Sequence, residues 1–220
     1  MKGGIAIFGP VLFCFLLSLL VTPLVKQIAL QMCALDFPGH RKVHTKVMPR
    51  LGGVAIFFSF VCGLFVFKPA NFFIPSFLMG SFIIMLTGVL DDLFQFPARI
   101  KLIGQIASTI PLILSGLVID FIMIPFTGPV YFKLLSIPIT IIWIVGITNA
   151  INLIDGLDGL AAGVSAIAIM TITWIAYQTG NMLTASLGLL AIGSITGFLI
   201  YNFHPAKIFM GDSGALFLGY

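Results

Sequence analysis

Long, continuously apolar runs constrain this chain more than any other feature. Most are near 20 residues, enough for a helix to cross a hydrocarbon core of about 30 Å. The chain is 60% hydrophobic and 8% charged, whereas a soluble domain has roughly 25% charged residues. So few charges cannot cover a surface that faces water, and the runs lack the alternation of a transmembrane β-barrel. The sequence therefore predicts an all-α, polytopic transmembrane bundle.

The apolar runs divide the chain into seven full spans and the start of an eighth. The predicted spans cover about residues 5–28, 52–67, 75–90, 100–119, 135–153, 160–177 and 183–201, and the eighth begins near Gly214. No segment long enough for a soluble domain separates them, so residues 1–220 are predicted to form a single membrane domain. Because the last run stops at Tyr220, soon after it begins, we expect this sequence to be part of a longer protein.

Basic residues are divided unevenly between the two sides that these spans define. With the N-terminus outside, the inner segments hold Arg41, Lys42, Lys46, Arg50, Arg99, Lys101 and Lys207, and the outer ones hold Lys2, Lys68 and Lys133. Basic residues concentrate on the cytoplasmic side of membrane proteins, so the N-terminus is predicted to lie outside. The same rule accounts for the net charge of +4, which therefore does not indicate nucleic-acid binding.

The aspartates show a second asymmetry, which this rule does not explain. All seven acidic residues are aspartates, and only Asp120 falls on the outer side. The other six are Asp36, Asp91, Asp92, Asp155, Asp158 and Asp212. Acidic residues contribute little to topology, and the cost of placing a carboxylate in lipid favours both membrane edges equally. Six aspartates at one edge indicate a shared site on the cytoplasmic face.

Residues 149–159, N-A-I-N-L-I-D-G-L-D-G, are the strongest candidate within that site. Asn149, Asn152, Asp155 and Asp158 follow one another at intervals of three, which would place them on one face of a helix. The aspartates could instead cap the next span, with the glycines after them as turn residues. Capping accounts for one aspartate, but hardly for two aspartates and two asparagines. The glycines would also let the backbone approach a phosphate closely.

Asp91 and Asp92 are adjacent at the inner end of the third span. Neighbouring carboxylates repel each other unless a cation lies beside them. The hard, oxygen-binding cation of the cytosol is Mg²⁺, usually held by one or two carboxylates together with substrate phosphates. A solvated helix end is the alternative interpretation of this pair, although the helix dipole disfavours aspartate at a C-terminus.

A further carboxylate, Asp212, precedes the eighth span in the string M-G-D-S-G. The string is similar to that around a serine-protease nucleophile, but Ser213 opens a membrane span and no protease-like domain surrounds it. We therefore interpret Asp212 as part of the acidic site. Lys207 nearby could contact a phosphate or serve only as a positive-inside anchor. The basic segment 40–50 could attract a phosphorylated lipid or nucleotide, but a role in topology together with contact to anionic lipid is favoured.

Carboxylates, amides and glycines at one membrane edge suit a metal-bound phosphate donor from water and an acceptor from lipid. That combination predicts phosphoryl transfer, in which positioning and charge neutralisation supply most of the catalysis. An ion-coupled transporter is an alternative of a different class, but carriers place ionisable groups near the bilayer midplane. An intramembrane aspartyl protease would need a second aspartate facing the first inside the bilayer, and the predicted spans offer none.

Four motifs make the sequence similar to the polyprenyl-phosphate N-acetylhexosamine-1-phosphate transferases, which are glycosyltransferase family 4 proteins. They run in order through almost the whole chain, as R-K-V-H-T-K-V-M-P-R-L-G-G from Arg41, G-V-L-D-D from Gly88, N-A-I-N-L-I-D-G-L-D-G-L from Asn149, and M-G-D-S-G-A-L-F-L-G from Met210. The first motif favours the branch that transfers GlcNAc-1-phosphate to undecaprenyl phosphate over the phospho-MurNAc-pentapeptide transferases.

The resemblance implies an Mg²⁺-dependent phosphotransferase of the bacterial plasma membrane, with its active site facing the cytoplasm. Its substrates would be UDP-GlcNAc and undecaprenyl phosphate. Its products would be UMP and undecaprenyl-diphosphate-GlcNAc, in the first membrane step of a cell-envelope polysaccharide. Another UDP-N-acetylhexosamine stays open as the donor, as do Mn²⁺ as the metal and a homodimer as the assembly.

Site residues carry over from the family motif by motif. Asp91 and Asp92 correspond to the catalytic aspartate pair, as base or electrostatic organiser. Asp212 corresponds to the Mg²⁺ ligand, with Asp155 as a second candidate. Asn152, Asp155 and Asp158 correspond to the nucleotide-site motif. Together with Asn149 and Lys207, which the residue patterns above suggest, they are the substrate-binding candidates. Direct attack by the lipid phosphate is favoured, and a covalent aspartyl-phosphate route stays open.

Two features depart from the family pattern. Gln95 stands where the frequent D-D-x-x-D motif has its third aspartate, so a carboxylate is absent there. The family's later His-rich loop and further spans would lie beyond Tyr220.

Overall fold

Eight helices dominate the computed structural model, which describes residues 2–38, 46–69, 71–126 and 128–220, with side chains from Phe8 onward. They are α1 (Lys2–Gln31), α2 (Gly52–Phe67), α3 (Ile74–Phe94), α4 (Ala98–Leu114), α5 (Ser136–Ile154), α6 (Leu160–Gln178), α7 (Met182–Asn202) and α8 (Gly211–Gly219). Two antiparallel hairpins join helices: β1 (Leu35–Asp36) with β2 (Met48–Pro49), and β3 (Phe121–Ile124) with β4 (Gly128–Tyr131). Most of the basic segment 40–50, including Arg41 and Lys42, lies outside the described residues.

Five of these helices, α1, α3, α5, α6 and α7, are long and apolar enough to cross a membrane, and α2 is a shorter apolar helix. The predicted multi-pass α-helical membrane protein is thereby confirmed. The prediction was wrong at the end of the fourth span, because α4 stops at Leu114 and Gly116 turns the chain with a φ of 83°. The hairpin of β3 and β4 follows, and its exposed apolar strands have no alternation that predicts them.

α1 and α7 pack closely because α7 presents small residues to its neighbour. Gly193 and Gly197 are four residues apart, and a side chain at either would overlap a backbone carbonyl of α1, at Val11 or Phe15. Small residues at this spacing let two membrane helices approach backbone to backbone. This pair forms one side of the bundle, and α2 packs against both helices.

The short helix α8 lies in the middle of the bundle, against α2, α3 and α5. Glycines make room for it: a Cβ at Gly53 of α2 would overlap the Gly214 nitrogen, and one at Gly88 of α3 would lie 2.5 Å from the Ser213 Cα. The chain before α8 is also pinned to the start of α2, where Gly53 N donates to the Met210 carbonyl oxygen at 2.8 Å. The first turn of α8 is therefore fixed beside the last turn of α3.

Replacing Gly53 with alanine should destabilise the protein, because the methyl group would push α2 away from the α8 backbone. Overpacking of this kind costs about 1–3 kcal/mol. Gly163→Ala is the matched control, since a Cβ there, inside α6, meets nothing within 4 Å and alanine favours a helix. Scanning fluorimetry in detergent should show a lower melting temperature for Gly53→Ala only. Equal losses in both variants would contradict this packing.

Candidate active site

Ends of six helices meet at one end of the bundle: the start of α2, the end of α3, the start of α4, the turn between α5 and α6, and the start of α8. Two neighbouring cavities open there. The larger has a volume of about 610 Å³ and is lined by Asp92, Asn152, Asp155 and Asp158 among others. The smaller, of about 250 Å³, is lined by Asp91, Gln95, Phe96 and Lys101 among others. Three side chains line both cavities, namely Asp36, Arg50 and Asp212.

Asp91 and Asp92 are adjacent in the chain but line different cavities. α3 continues to Phe94, so both lie in its last turn, where neighbouring residues point about 100° apart. Asp91 accepts hydrogen bonds from Phe96 N at 2.8 Å and from Lys101 Nζ at 3.0 Å, and it lines the smaller cavity. Asp92 turns instead toward α8.

Asp92 caps the N-terminus of α8. Its Oδ1 accepts from Asp212 N at 2.9 Å and its Oδ2 from Ser213 N at 3.0 Å, while the residue is only 1% exposed. The first N–H groups of a helix have no partner within the helix, so this carboxylate satisfies two of them. Arg50 braces the arrangement by donating to the Asp92 carbonyl oxygen at 3.1 and 2.8 Å. Asp92 thus sets the position of the residue that carries the next carboxylate, Asp212.

Asp212 and Asp91 both contact the ammonium group of Lys101. Lys101 Nζ lies 2.5 Å from Asp212 Oδ2 and 3.0 Å from Asp91 Oδ2, and Asn152 Nδ2 lies 3.5 Å from the same Asp212 oxygen. From the sequence, membrane topology alone accounts for Lys101, as one of the basic residues on the inner side. One signal could have found it: residues 95–97 connect α3 to α4 so tightly that the first turn of α4 must return to the end of α3.

The turn between α5 and α6 carries Asp155 and Asp158. The predicted helical stripe through residues 149–158 is wrong, because α5 ends at Ile154. Asp158 Oδ2 accepts from Ala206 N at 3.0 Å and lies 3.0 Å from His204 Nδ1, so it ties this turn to the segment before α8. The half-buried Asp155 carboxylate has no hydrogen-bond or ion-pair partner within the described parts of the chain.

Two predicted substrate-binding residues lie away from the cavities. Asn149 Nδ2 donates to Gln105 Oε1 at 2.9 Å, and this hydrogen bond joins α5 to α4. It also donates to the Val145 carbonyl oxygen within α5. Lys207 is exposed, with its Nζ 5.9 Å from the centre of the Tyr201 ring. Neither is among the residues that line the two cavities. Their role in substrate binding therefore stays a prediction, whereas the other sequence-predicted site residues lie at the cavities.

The carboxylates of the cavities outnumber the cations around them. Arg50 and Lys101 are the only arginine and lysine side chains among the described walls of the two cavities, beside His204. The same walls hold six aspartates, namely Asp36, Asp91, Asp92, Asp155, Asp158 and Asp212. These residues fit a hard divalent cation, because Lys101 already places a positive charge between two of the carboxylates and Asp155 lacks a partner. No group of three or more His, Cys, Asp or Glu side chains forms a ready metal site within the described residues. Mg²⁺ needs none, since it takes one or two carboxylates plus substrate phosphates.

The metal-free protein should lose stability as the pH rises. Burial raises the pKa of the Asp155 carboxyl to about 7, and the charges of Asp212 and Asp92 act in the same direction. The folded protein therefore holds this proton more tightly than an unfolded chain does. The resulting stabilisation is fully present below about pH 4 and is lost as the pH rises through about 7.

Melting curves recorded in a chelator at about pH 5 and about pH 8 test whether the protonated Asp155 carboxyl stabilises the protein. The melting temperature of the wild-type protein should fall by several degrees more than that of Asp155→Asn, which cannot ionise. The same pH response in both proteins would mean that the Asp155 carboxyl is not held protonated.

Comparison with known proteins places this cluster in a family. The model of glycosyl transferase family 4 matches residues 74–220, which include five of the six clustered aspartates. The chain belongs to glycosyl transferase family 4. The resemblance drawn from the four motifs is thereby confirmed. In this family 4 chain, the matched region contains α3 to α8 and therefore the cavity walls that those helices contribute.

Individual relatives agree with this assignment. A probable undecaprenyl-phosphate N-acetylglucosaminyl 1-phosphate transferase of Bacillus subtilis is 48% identical over 218 residues, covering 96% of this family 4 chain and 60% of the relative. A decaprenyl-phosphate N-acetylglucosaminephosphotransferase of Mycobacterium tuberculosis is 34% identical, with coverage of 89% and 53%. A phospho-N-acetylmuramoyl-pentapeptide-transferase of Lactobacillus gasseri is 48% identical over 122 residues, with coverage of 54% and 38%. The aligned part of the chain thus covers between 38% and 60% of the length of each of these three relatives.

Proposed function

We propose that this protein transfers GlcNAc-1-phosphate from UDP-GlcNAc to undecaprenyl phosphate, giving undecaprenyl-diphosphate-GlcNAc and UMP. One observation carries the proposal: Asp212 lines both of the adjoining cavities, and Lys101 links its carboxylate to that of Asp91. A group-transfer enzyme needs such a place, where two phosphate-bearing substrates meet beside charges that neutralise them. The name of the Bacillus subtilis relative supports the choice of substrates.

The two cavities suggest a division between donor and acceptor. The larger, of about 610 Å³, has the size of a site for a small organic ligand and would take the nucleotide sugar. Asp158, Asn152 and Asp155 would hold the donor there. The smaller cavity, lined by Lys101, Phe96 and Asp91, would take the phosphate of the lipid. Asp91 would then act at the acceptor phosphate, as a base or as an organiser of charge.

The reaction would be a displacement at phosphorus. An oxygen of the lipid phosphate forms a bond to the sugar-bearing phosphorus of the donor, and the bond from that phosphorus to the UMP oxygen breaks. We favour this direct route over a covalent aspartyl intermediate, because Asp92 is engaged by α8 and Asp91 by Lys101 and Phe96 N. Arg50, at the wall common to both cavities, would help to neutralise the diphosphate.

Mg²⁺ would be held by Asp212, with Asp155 as a second ligand. When bound, the ion would neutralise charge on the donor diphosphate and so favour departure of UMP. Mn²⁺ has the same preference for oxygen ligands. The excess of carboxylates would otherwise repel a nucleotide diphosphate, which is why the donor and the cation are expected to bind together.

The active site would face the cytoplasm of a bacterial cell, where UDP-sugars are made. The proposed catalytic side chains lie at one end of the helices, and the basic residues Arg50, Arg99, Lys101 and Lys207 are at or near that end. Positive charge on this side supports a cytoplasmic orientation with the N-terminus outside.

A panel of donors tests the proposal. UMP release is measured with UDP-GlcNAc, UDP-GalNAc or UDP-MurNAc-pentapeptide, each with undecaprenyl phosphate and Mg²⁺. UDP-GlcNAc should be used about tenfold or more faster than the others. Preference for UDP-MurNAc-pentapeptide would assign the protein to the phospho-MurNAc-pentapeptide branch, whose Lactobacillus gasseri member matches only 54% of this chain. No release with any donor would refute the proposed activity.

A further inference from the structure

Lys101 lies between Asp91 and Asp212, against the carboxylate that is proposed to hold the metal ion. Its Nζ is 2.5 Å from Asp212 Oδ2 and 3.0 Å from Asp91 Oδ2, and its side chain is 24% exposed. The lysine begins in the first turn of α4, so its flexible four-carbon stem reaches across the smaller cavity to α8. The ammonium group therefore does in the metal-free protein what a bound cation would do: it neutralises the facing carboxylates.

Lys101 and a divalent cation cannot both keep Asp212 Oδ2 as a close partner without strong repulsion. A Mg²⁺ ligand lies 2.0–2.1 Å from the ion, and the ammonium already lies 2.5 Å from this oxygen. Two cations on one carboxylate oxygen would repel each other at short range, in a site sheltered from solvent. Asp212 can hold a metal ion only if the ammonium moves away or the oxygen is given up.

We propose that Lys101 is an internal competitor for the metal, which holds the substrate-free site together and is displaced from Asp212 when the divalent cation binds. This rests on the proposed function, in which Asp212 is a metal ligand. Lys101 weakens metal binding in the absence of substrate. Its stem keeps the released ammonium inside the smaller cavity, where an incoming phosphate compensates its charge. Metal and phosphate therefore bind cooperatively, and the empty enzyme holds Mg²⁺ only weakly.

A purely structural salt bridge makes the opposite prediction. If Lys101 only fastened α4 to α3 and α8, its removal would loosen the carboxylates and would leave metal affinity unchanged or weaker. Removal of a competing cation should instead tighten metal binding, even though the variant loses a contact. The direction of the change in affinity therefore separates the two roles.

The test measures metal binding without substrates. Protein in nanodiscs of neutral lipid is stripped with a chelator and titrated with Mg²⁺ by calorimetry and with Mn²⁺ by the electron paramagnetic resonance signal of the free ion. Lys101→Met should bind both ions about 5- to 150-fold more tightly than the wild type, which is the usual range of coupling between two sites. Lys101→Gln is the second charge-removing variant, and it serves if the methionine variant does not fold.

Three control variants define the site and the charge. Lys101→Arg keeps a cation and should bind metal as the wild type does. Lys68→Met, at the far end of α2 from the site, should also behave as the wild type. Adding Asp212→Asn to Lys101→Met should abolish the tight binding.

Unchanged or weaker metal affinity in both charge-removing variants would overturn the proposal. That outcome is distinct from failure of the proposed function, which is a lack of UMP release by the wild-type protein with substrates. The comparison of metal affinities needs no turnover and would stand in either case.

Discussion

Asp212→Asn is expected to lower the rate of UMP formation by on the order of 10²- to 10³-fold, the cost of removing one preorganised electrostatic group from an active site. Asp212 lines both cavities, contacts Lys101 and lies beside Asn152, so its charge acts on both proposed substrates. Asparagine keeps the shape of the side chain but not its charge. Membrane insertion and melting temperature should change little, because the Asp92 cap is made to the backbone of α8.

The control for this variant is Asp120→Asn, which removes an exposed aspartate between α4 and β3. It should leave the rate of UMP formation unchanged. Initial rates at saturating UDP-GlcNAc and undecaprenyl phosphate give the comparison. A near-normal rate for Asp212→Asn would rule out its proposed part in metal binding.

Replacing Asp92 with alanine should mainly lower stability, whereas replacing Asp91 with alanine should mainly lower turnover. Asp92→Ala leaves two N–H groups of α8 buried without a partner, which costs about 1–3 kcal/mol for such groups and lowers the melting temperature by several degrees. Asp91→Ala removes a side chain that faces the smaller cavity, so it should lower turnover by orders of magnitude with a smaller effect on stability.

Hydrogen exchange measured by mass spectrometry adds a local readout of the same difference. Peptides that contain Asp212 and Ser213 should exchange faster in Asp92→Ala than in the wild type, because the cap on their N–H groups is gone. The same peptides should exchange normally in Asp91→Ala. If both variants changed the exchange of α8 equally, the two aspartates would not have separate roles.

Sequence reasoning found the acidic site because membrane topology sorts residues by side. Asp91, Asp155 and Asp212 are far apart in the chain, but each lies at a helix end, and alternate helices bring such ends to the same face. The five long spans of α1, α3, α5, α6 and α7 were equally readable, since their apolar runs need no tertiary information. The structure places these helix ends together, as that argument expected.

The different contacts of Asp91 and Asp92 could not be predicted from membrane topology. Nothing in the pair Asp91-Asp92 tells which carboxylate will face α8, because that depends on how α3 is rotated against a neighbour that begins more than a hundred residues later. The rotation is set by close backbone contacts such as the one between Gly88 and Ser213. Lys101 was missed for a related reason, since a basic residue near a membrane edge is already explained by topology.

The spacing in residues 149–158 was misleading for a different reason. Intervals of three suggest a helical face, but they are also compatible with a turn, and the glycines after Asp155 and Asp158 allow one. In the structure Asp155 follows the last residue of α5, and Asp158 reaches the segment before α8. Local pattern identified the right aspartates but not the geometry that presents them.

The most direct test of the account is whether UMP release depends on the lipid acceptor. Purified protein is incubated with UDP-GlcNAc labelled in the sugar and with Mg²⁺, in the presence or absence of undecaprenyl phosphate. We expect UMP only when the acceptor is present, and one molecule of labelled lipid diphosphate for each molecule of UMP. UMP release without the acceptor, or without transfer of label to lipid, would contradict a site in which two substrates meet at Asp212.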